Sequence, residues 1–406
     1  MGQRIGCLGG GQLGRMLALA GLPLGLRFTF LEPQADAAAA DVGRQLMGAY
    51  DDPELLRQLG AQSDLVTFEF ESVPEGSASL LAETGRVFPP PRALAVGQDR
   101  LLEKQLFQGL GIETASYREV GSPAELASAA EVGFPALLKT RRLGYDGHGQ
   151  RVVEDRSQLE SAWQELDRVP SILERLVPFD RELSILCVRG ADGETAAYPV
   201  VENHHREGIL RLTLAPAPKL TPELAQAAAT IGARILEELE YVGVLAVELF
   251  EFEGRLLANE IAPRVHNSGH WTMNGAECSQ FENHLRAGLG WPLGGTENRG
   301  YTAMINLLGE EPDPSELLTL PSAHLHLYGK EPRPRRKLGH LNIVGEDSAQ
   351  VTAQLQAVAS VLRMELSLPG HADSLWGAGR LEGGAPDPSP SDSAPRREPG
   401  VNTPAN

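Results

Sequence analysis

VLAVELFEFEGRLLANEI, residues 244–261, decides the fold of the central part of the chain, because two apolar runs meet there at Gly254. A glycine between two such runs is typical of a β-hairpin. Glu248 and Glu260 are equidistant from Gly254. We therefore expect these two carboxylates to lie opposite each other or one position offset, and on the same face of the sheet if they are opposite.

The flanks of both glutamates are apolar, which indicates buried strands. Two carboxylates that face each other there repel, unless a cation lies between them. Hard oxygen ligands beside a nucleotide triphosphate imply Mg²⁺, so Glu248 and Glu260 are candidate metal ligands. The alternative is a pair of solvated strand charges. It is disfavoured because like charges opposite each other destabilise a sheet.

A polar stretch, RVHNSGHW at residues 264–271, follows the second strand directly. We expect it to face the reacting anion, because it leaves the strand that carries a candidate metal ligand. A single arginine or histidine is more often structural. The position beside the two carboxylates favours a functional role for Arg264 and His266.

Lys139 ends an apolar run and precedes a glycine-rich loop, GYDGHGQ at residues 144–150. A cation followed by flexible, amide-rich backbone suits a triphosphate that must be covered and shielded from water. Taken alone, the loop is more typical of solvated surface. The sequence has no G-x-x-x-x-G-K-[ST] loop, so a triphosphate would be bound in another way.

The N-terminal motif GGGQLG, residues 9–14, lies between a predicted strand and a predicted helix, and Glu32 follows the second strand. This pattern fits a dinucleotide-binding fingerprint. Its physical content is narrower, because a glycine-rich turn and a helix N-terminus suit any phosphate, including a monoester. A tight turn without a ligand is the remaining alternative.

Five cations lie within eight residues at 330–337, on a chain whose formal net charge is −18. Such a run is usually a solvated surface, and its functional interpretation is a grip on a substrate phosphate. The overall acidity argues against broad binding to nucleic acid or to anionic membranes. Three scattered cysteines and no signal-peptide pattern predict a cytoplasmic protein without a disulfide framework.

Short apolar runs at residues 4–8, 28–31 and 65–70 alternate with helical segments, which predicts a parallel α/β sheet. Three consecutive prolines at 89–91 indicate a domain boundary. Further strands are predicted at residues 136–140, 172–177, 183–188, 324–328 and 341–344. Further helices are predicted at 100–110, 221–239 and 348–362.

Together these residues resemble the ATP-grasp superfamily and, within it, the family of N5-carboxyaminoimidazole ribonucleotide synthetases. The resemblance covers roughly residues 4 to 366, and residues 259–272 are its most specific segment. It implies a mixed α/β and α+β protein: a Rossmann-like N-terminal domain, an ATP-grasp lid and main domain, and a small C-terminal domain. The expected boundaries are 1–98, 99–175, 176–300 and 301–368, with a disordered tail at 369–406.

The resemblance implies an ATP- and bicarbonate-dependent carboxylation of 5-aminoimidazole ribonucleotide, with Mg²⁺ as a cofactor and a homodimer as the assembly. It assigns the nucleotide to Arg100, Lys139, Gly144, Tyr145, Asp146, Gly147, His148, Gly149, Gln150, Glu174, Arg175, Leu176, Val177, Glu182, His205, Asn259 and Glu260. It assigns the ribonucleotide and bicarbonate to Gly11, Gln12, Leu13, Glu71, Arg264, His266, Asn267, Lys330, Arg336 and Lys337. The residues expected at the chemistry are Tyr145, Asp146, Arg264, His266 and Lys330.

Three other functions stay open. Another ATP-grasp ligase, such as a formate-dependent glycinamide ribonucleotide transformylase, would share the metal pair. An NAD-dependent oxidoreductase would explain residues 9–14 and Glu32 but neither Glu248 nor Glu260. A nucleotide sensor would bind ATP without turnover.

Overall fold

The N-terminal part of the chain forms a parallel sheet. The structure is a computed structural model, and it describes residues 2–144, 148–363 and 375–376. Within them, the first sheet has the strand order β3-β2-β1-β4, with every pair parallel. Its elements are β1 (Arg4–Leu8), α1 (Gln12–Gly21), β2 (Arg27–Glu32), β3 (Arg44–Met47), α2 (Pro53–Gln62), β4 (Leu65–Phe68) and α3 (Glu75–Thr84). The predicted parallel sheet is confirmed.

Two helices connect this sheet to an antiparallel one of order β5-β8-β6-β7. The elements are α4 (Pro91–Gly97), α5 (Arg100–Gly109), β5 (Tyr117–Val120), α6 (Pro123–Ala129), β6 (Ala136–Thr140), β7 (Gln150–Val153), α7 (Leu159–Glu165) and β8 (Ser171–Arg175). Helix α5 begins at Arg100 because the Asp99 carboxylate accepts a hydrogen bond from the Leu101 N–H at 3.0 Å and caps its N-terminus.

The remaining strands of the described chain form one large antiparallel sheet. Its order is β14-β13-β9-β11-β12-β15-β17-β16, and β10 pairs with β9. In chain order, this part of the protein begins with β9 (Arg181–Arg189), β10 (Thr195–Ala197), β11 (Val201–Arg206), β12 (Ile209–Ala215), the helix α8 (Pro222–Glu238), β13 (Gly243–Phe252) and β14 (Arg255–Ala262). They are followed by α9 (Thr272–Gly275), α10 (Gln280–Leu289), β15 (Tyr301–Leu308), α11 (Pro314–Leu317), β16 (Ala323–Leu327), β17 (Lys337–Gly345) and α12 (Ser348–Val361).

Strands β9 and β13 are covered on both faces. Residues such as Ile185 and Val247 pack with α8 in one apolar cluster, whereas Leu186 and Val244 pack with α10 and α1 in another. Alternate side chains of a strand point to opposite faces, so both sets are buried. These two strands are therefore rigid supports for the residues at their ends.

The C-terminal strands extend the large sheet, since β15 pairs with β12 across the boundary expected at residue 300. Leu375 packs on the C-terminal cluster, and the Trp376 indole N–H donates to the Pro216 carbonyl at 2.6 Å. The prediction of a disordered tail from residue 369 is therefore wrong for these two residues, which have the apolar surface to pack. The rest of that range lies outside the described residues. No helix in the described part of the chain is long and apolar enough to cross a membrane.

Candidate functional site

The hairpin of β13 and β14 places Glu248 directly opposite Glu260. Its turn pairs Phe252 with Arg255, and both residues between them have positive φ, 51° at Glu253 and 71° at Gly254. Such a two-residue turn matches the twist of the flanking strands. The hairpin is therefore centred between residues 253 and 254, and a regular ladder would put Asn259 opposite Glu248.

A β-bulge corrects this offset. The register steps from Leu249 opposite Ala258 to Glu248 opposite Glu260, so that Asn259 is the extra residue. A one-residue insertion also moves the following side chains to the other face of a strand. The predicted pairing of the two carboxylates is confirmed, and it depends on this bulge.

Side chains from α5 and the segment after it hold the bulge. The Thr114 hydroxyl donates to the Ala258 carbonyl and the Lys104 ammonium donates to the Asn259 carbonyl, both at 2.8 Å. The Ile261 N–H donates to the Glu103 carboxylate at 2.6 Å. Because β14 is an edge strand, these side chains satisfy backbone groups that no further strand can reach.

The two carboxylates of the pair have different surroundings. Burial raises the pKa of Glu248, and the charge of Glu260 raises it further. Burial also opposes the charge on Glu260, but the Arg100 guanidinium, 2.8 Å away, outweighs burial and lowers its pKa. His266 Nε2 lies 3.3 Å from Glu248 Oε1. A cation between the two carboxylates would relieve their repulsion.

The donor set fits Mg²⁺. Glu248 and Glu260 offer hard carboxylate oxygens on adjacent strands, which is the chemistry that this ion prefers. Among the described residues, no group of three or more His, Cys, Asp or Glu side chains could hold a metal ion. The pair would therefore bind an ion whose remaining ligands come from phosphate oxygens and water.

Lys139 lies at the end of β6, where burial lowers the pKa of its ammonium. It donates to Glu174 Oε2 at 3.2 Å, and Lys104 Nζ lies 3.6 Å from the same oxygen. Glu174 is 4% exposed. One oxygen of Glu174 therefore holds two lysines, while its other oxygen, Oε1, is buried without a hydrogen-bond partner among the described residues.

One cavity of about 550 Å³ joins these groups to the N-terminal motif. The predicted residues that line it are Gln12, Leu13, Glu71, Arg100, Lys139, Gly144, His148, Gln150, Leu176, Glu182, His205, Glu248, Asn259, Glu260, Arg264, His266, Asn267 and Lys337. Predicted residues that do not line it are Gly11, Gly149, Glu174, Arg175, Val177, Lys330 and Arg336. Tyr145, Asp146 and Gly147 lie outside the described residues.

An apolar end of the cavity is formed by Phe179 and Phe250, whose rings stack 4.7 Å apart and are inclined by 4°. Glu182 and His205 lie beside it, with His205 Nδ1 2.9 Å from Glu182 Oε2. Burial opposes protonation of His205, but this carboxylate outweighs it and raises the pKa. A flat apolar surface beside polar groups suits a nucleobase and its ribose.

The glycine motif at residues 9–14 does not form the free phosphate-binding site that its pattern suggests. The Gly11 and Gly14 N–H groups donate to the two oxygens of Glu69 at 2.5 and 2.8 Å, and the Gly10 N–H donates to Glu32 at 3.0 Å. These carboxylates already satisfy the amides that a phosphate would use. Glu32 therefore caps the turn, which argues against the dinucleotide interpretation. Gln12 and Leu13 are the motif residues that line the cavity.

The basic stretch divides between the cavity and the surface. Lys337 lines the cavity, and the Lys330 ammonium donates to the Gln12 side chain. Arg335 donates to the Glu207 carbonyl and Arg336 to the Glu331 carbonyl, both at 3.0 Å. The two lysines are thus the members of this stretch that the structure brings to the N-terminal motif and the cavity.

The polar stretch after β14 is held from behind. Arg264 pairs with Glu71 at 2.8 Å. The Gln280 side chain accepts from the His266 N–H at 2.9 Å and donates to the His266 carbonyl at 2.7 Å. Asn267 exchanges two amide hydrogen bonds with Asn306 at 3.0 and 2.8 Å. The stretch therefore has a fixed backbone, and its residues Arg264, His266 and Asn267 line the cavity.

Several residues of the site were not predicted, and two of them carried a signal. Glu103 and Lys104 follow Arg100 by three and four positions, so they lie on the same face of helix α5. Their positions could have identified them. Glu69 and the two stacked phenylalanines carried no comparable signal, because their partners lie far away in the sequence.

Three families match the chain in succession. The ribonucleotide synthetase preATP-grasp domain matches residues 2–98, the ATP-grasp domain residues 105–281, and the phosphoribosylaminoimidazole carboxylase C-terminal domain residues 302–354. The N5-carboxyaminoimidazole ribonucleotide synthase of Pseudomonas aeruginosa is 50% identical over 360 residues, which cover 88% of this chain and 99% of that protein.

Solved structures agree with these matches. The N5-carboxyaminoimidazole ribonucleotide synthetase of Thermus thermophilus is 50% identical, with a TM-score of 0.87, over 90% of this chain and all of that one. An N5-carboxyaminoimidazole synthase of Aspergillus clavatus, in complex with ADP and 5-aminoimidazole ribonucleotide, is 30% identical. Its TM-score is 0.83, over 89% of this chain and 99% of that one.

Proposed function

The chain belongs to the N5-carboxyaminoimidazole ribonucleotide synthase family of ATP-grasp ligases, and from that premise we propose how its cavity performs the reaction. The enzyme uses ATP to carboxylate 5-aminoimidazole ribonucleotide to N5-carboxyaminoimidazole ribonucleotide, in purine biosynthesis. The observation that carries the proposal is the register pair of Glu248 and Glu260, which lies in one cavity with Arg100 and Lys139.

The nucleotide occupies the end of the cavity formed by Phe179, Phe250, Glu182 and His205. Its phosphates then extend toward Lys139 and Arg100, which supply positive charge in a largely buried site. Glu248 and Glu260 hold Mg²⁺, which neutralises charge on the terminal phosphates when it is bound. Gly144, His148 and Gln150, which line the cavity, cover the phosphates and exclude water.

Bicarbonate needs activation because hydroxide is a poor leaving group. A bicarbonate oxygen attacks the γ-phosphorus of ATP, ADP leaves, and carboxyphosphate forms. The exocyclic amine of the ribonucleotide then attacks the carboxyl carbon of carboxyphosphate and displaces phosphate, or carboxyphosphate first breaks down to CO₂ and phosphate and the amine attacks CO₂. In both routes the amine loses a proton. Arg264 holds the bicarbonate, His266 lines the same part of the cavity, and the closed cavity protects carboxyphosphate from water.

The ribonucleotide lies between Gln12, Leu13 and the basic residues Lys330 and Lys337. Two observations support this placement of the ribonucleotide. Lys330 contacts Gln12, and the cavity is lined by Gln12, Leu13 and Lys337. Asn267, which lines the same cavity, completes this side of the site. Asp146, with Tyr145 beside it, accepts the amine proton or orients the amine.

We also propose a cytoplasmic homodimer, by analogy with the family. The proposed domains span residues 1–98, 99–175 and 176–300, and the C-terminal domain begins at residue 301 and includes Leu375 and Trp376. The three family matches and the change of sheet between β8 and β9 support these boundaries.

The test is ADP release in the presence of bicarbonate, measured with and without 5-aminoimidazole ribonucleotide. We expect the ribonucleotide to stimulate ADP release and one carboxylated product to form per ADP. Stimulation by glycinamide ribonucleotide with formate instead would identify the transformylase. ATP binding with no turnover under any of these conditions would identify a sensor.

A further inference from the structure

A chain of buried polar side chains, here called the polar relay, runs behind the cavity and ends at His266. It consists of Thr213 on β12, Asn203 on β11, Ser184 on β9, and Ser268 in the short turn that follows His266. Each of the four is at most 5% exposed. At such burial these groups depend on one another for hydrogen bonds, because water does not compete.

The hydrogen bonds of the polar relay have a direction. The Thr213 hydroxyl donates to Asn203 Oδ1 at 2.9 Å, and Asn203 Nδ2 donates to Ser184 Oγ at 2.9 Å. Ser184 Oγ then donates to Ser268 Oγ at 2.8 Å. A hydroxyl has one proton and Ser268 already accepts from Ser184, so the Ser268 hydroxyl donates its hydrogen bond to His266 Nδ1, which lies 2.9 Å away.

Two further contacts of the imidazole agree with this direction and do not depend on where the hydroxyl protons lie. The main-chain N–H of Ser268 also faces His266 Nδ1, at 3.4 Å, and an amide N–H can only donate. On the other side of the ring, Nε2 lies 3.3 Å from Oε1 of Glu248, a carboxylate that cannot donate when ionised. The ring nitrogen bonded to a donor carries the lone pair, and the other carries the proton.

We propose that the polar relay holds His266 in the tautomer with its proton on Nε2, so that this N–H faces the Glu248 carboxylate. Thr213, Asn203, Ser184 and Ser268 are then positioning residues that act through His266. Neither nitrogen is free to take the proton of the attacking amine, because Nδ1 accepts from Ser268 and Nε2 is protonated. His266 therefore orients Glu248 and is excluded as the general base.

The tautomer is independent of the proposed function, whereas its effect on turnover rests on that function. The first experiment uses the full chain with ¹⁵N-labelled histidine and correlates ring nitrogens with ring protons by NMR. His266→Gln assigns the His266 signals by their loss. We expect a protonated Nε2 and an unprotonated Nδ1. A protonated Nδ1 in the wild-type protein would overturn the proposal.

The second experiment compares Ser268→Ala with Ser161→Ala, an exposed serine on α7 that serves as the matched control. We expect Ser268→Ala to populate the second tautomer and to lower kcat by about tenfold, the lower end of the loss typical of groups that hold a metal ligand in place, because Ser268 acts on Glu248 through His266. The KM for the ribonucleotide stays within about twofold, because the relay does not touch that substrate.

Ser268→Ala with the wild-type tautomer and wild-type kcat would contradict the proposal. If that variant does not fold, the wild-type spectrum decides alone. If the wild-type enzyme shows no turnover with the ribonucleotide, the proposed function fails, while the tautomer is still read from the same spectrum.

Discussion

Lys104→Met removes the charge that holds the bulge of β14 and nearly preserves the length of the side chain. The Lys104 ammonium is within 3.0 Å of the Asn259 carbonyl and the Thr114 hydroxyl, and 3.6 Å from Glu174. It is 1% exposed, so water cannot replace it. The substitution leaves a buried carbonyl without its donor and leaves Glu174 paired with Lys139 alone.

The magnitude follows from these contacts. A lost hydrogen bond to a charged group costs about 1.5–3 kcal/mol, and breaking a buried ion pair costs about 3–5 kcal/mol. Because Lys139 still pairs with Glu174, we expect the free energy of unfolding to fall by about 3 kcal/mol. A shift of the bulge by about 1 Å would displace Glu260 and lower kcat by about 100-fold.

The measurements are urea denaturation and ADP release as a function of Mg²⁺ concentration, with Lys219→Met at an exposed lysine as the control. We expect Lys104→Met alone to lose stability and to need more Mg²⁺ for half-maximal turnover. The reasoning would be refuted by a Lys104→Met enzyme that unfolds within about 1 kcal/mol of wild type and shows an unchanged Mg²⁺ dependence.

Three further predictions address the acids of the site. Glu260→Gln should fold, as judged by circular dichroism, but lose turnover at limiting Mg²⁺; near-normal activity there would contradict its role as a ligand. Burial and the Glu260 charge raise the pKa of Glu103 from 4.5 to about 8. The nucleotide-free fold therefore favours the protonated form of Glu103. This contribution to the free energy of unfolding is fully present below pH 4.5 and is lost as the pH rises toward 8. Glu103→Gln keeps the acceptor for the Ile261 N–H and should flatten that pH dependence of the unfolding free energy; an equally steep profile would exclude this titration. Asp146→Asn should abolish ribonucleotide-dependent ATP hydrolysis, and wild-type rates would remove this carboxylate from the chemistry.

The hairpin could be predicted from sequence because its signals are local. Apolar runs on both sides of Gly254 predict the two strands. The equal distances of Glu248 and Glu260 from Gly254 leave two possible registers, in which the carboxylates are directly opposite or one position offset. The choice between those registers was not predictable. It depends on a bulge whose backbone groups bond to side chains of α5, 155 and 158 residues earlier in the chain.

The glycine motif shows the opposite case. Its local pattern predicts a tight turn, but it does not predict which group accepts hydrogen bonds from the amides of that turn. Residues 9–14 form the expected tight turn into α1, yet the carboxylate of Glu69 takes the place of a phosphate. Glu69 lies 58 residues after Gly11, at the end of the neighbouring strand β4. Strand order had to be known before the two could be placed together.

A crystal structure with Mn²⁺ in place of Mg²⁺ and a non-hydrolysable ATP analogue, with anomalous scattering to locate the metal, tests the assignment of Glu248 and Glu260 most directly. We expect a manganese peak that contacts both carboxylates and the terminal phosphates. A peak that contacts the phosphates but neither carboxylate, at full nucleotide occupancy, would contradict it.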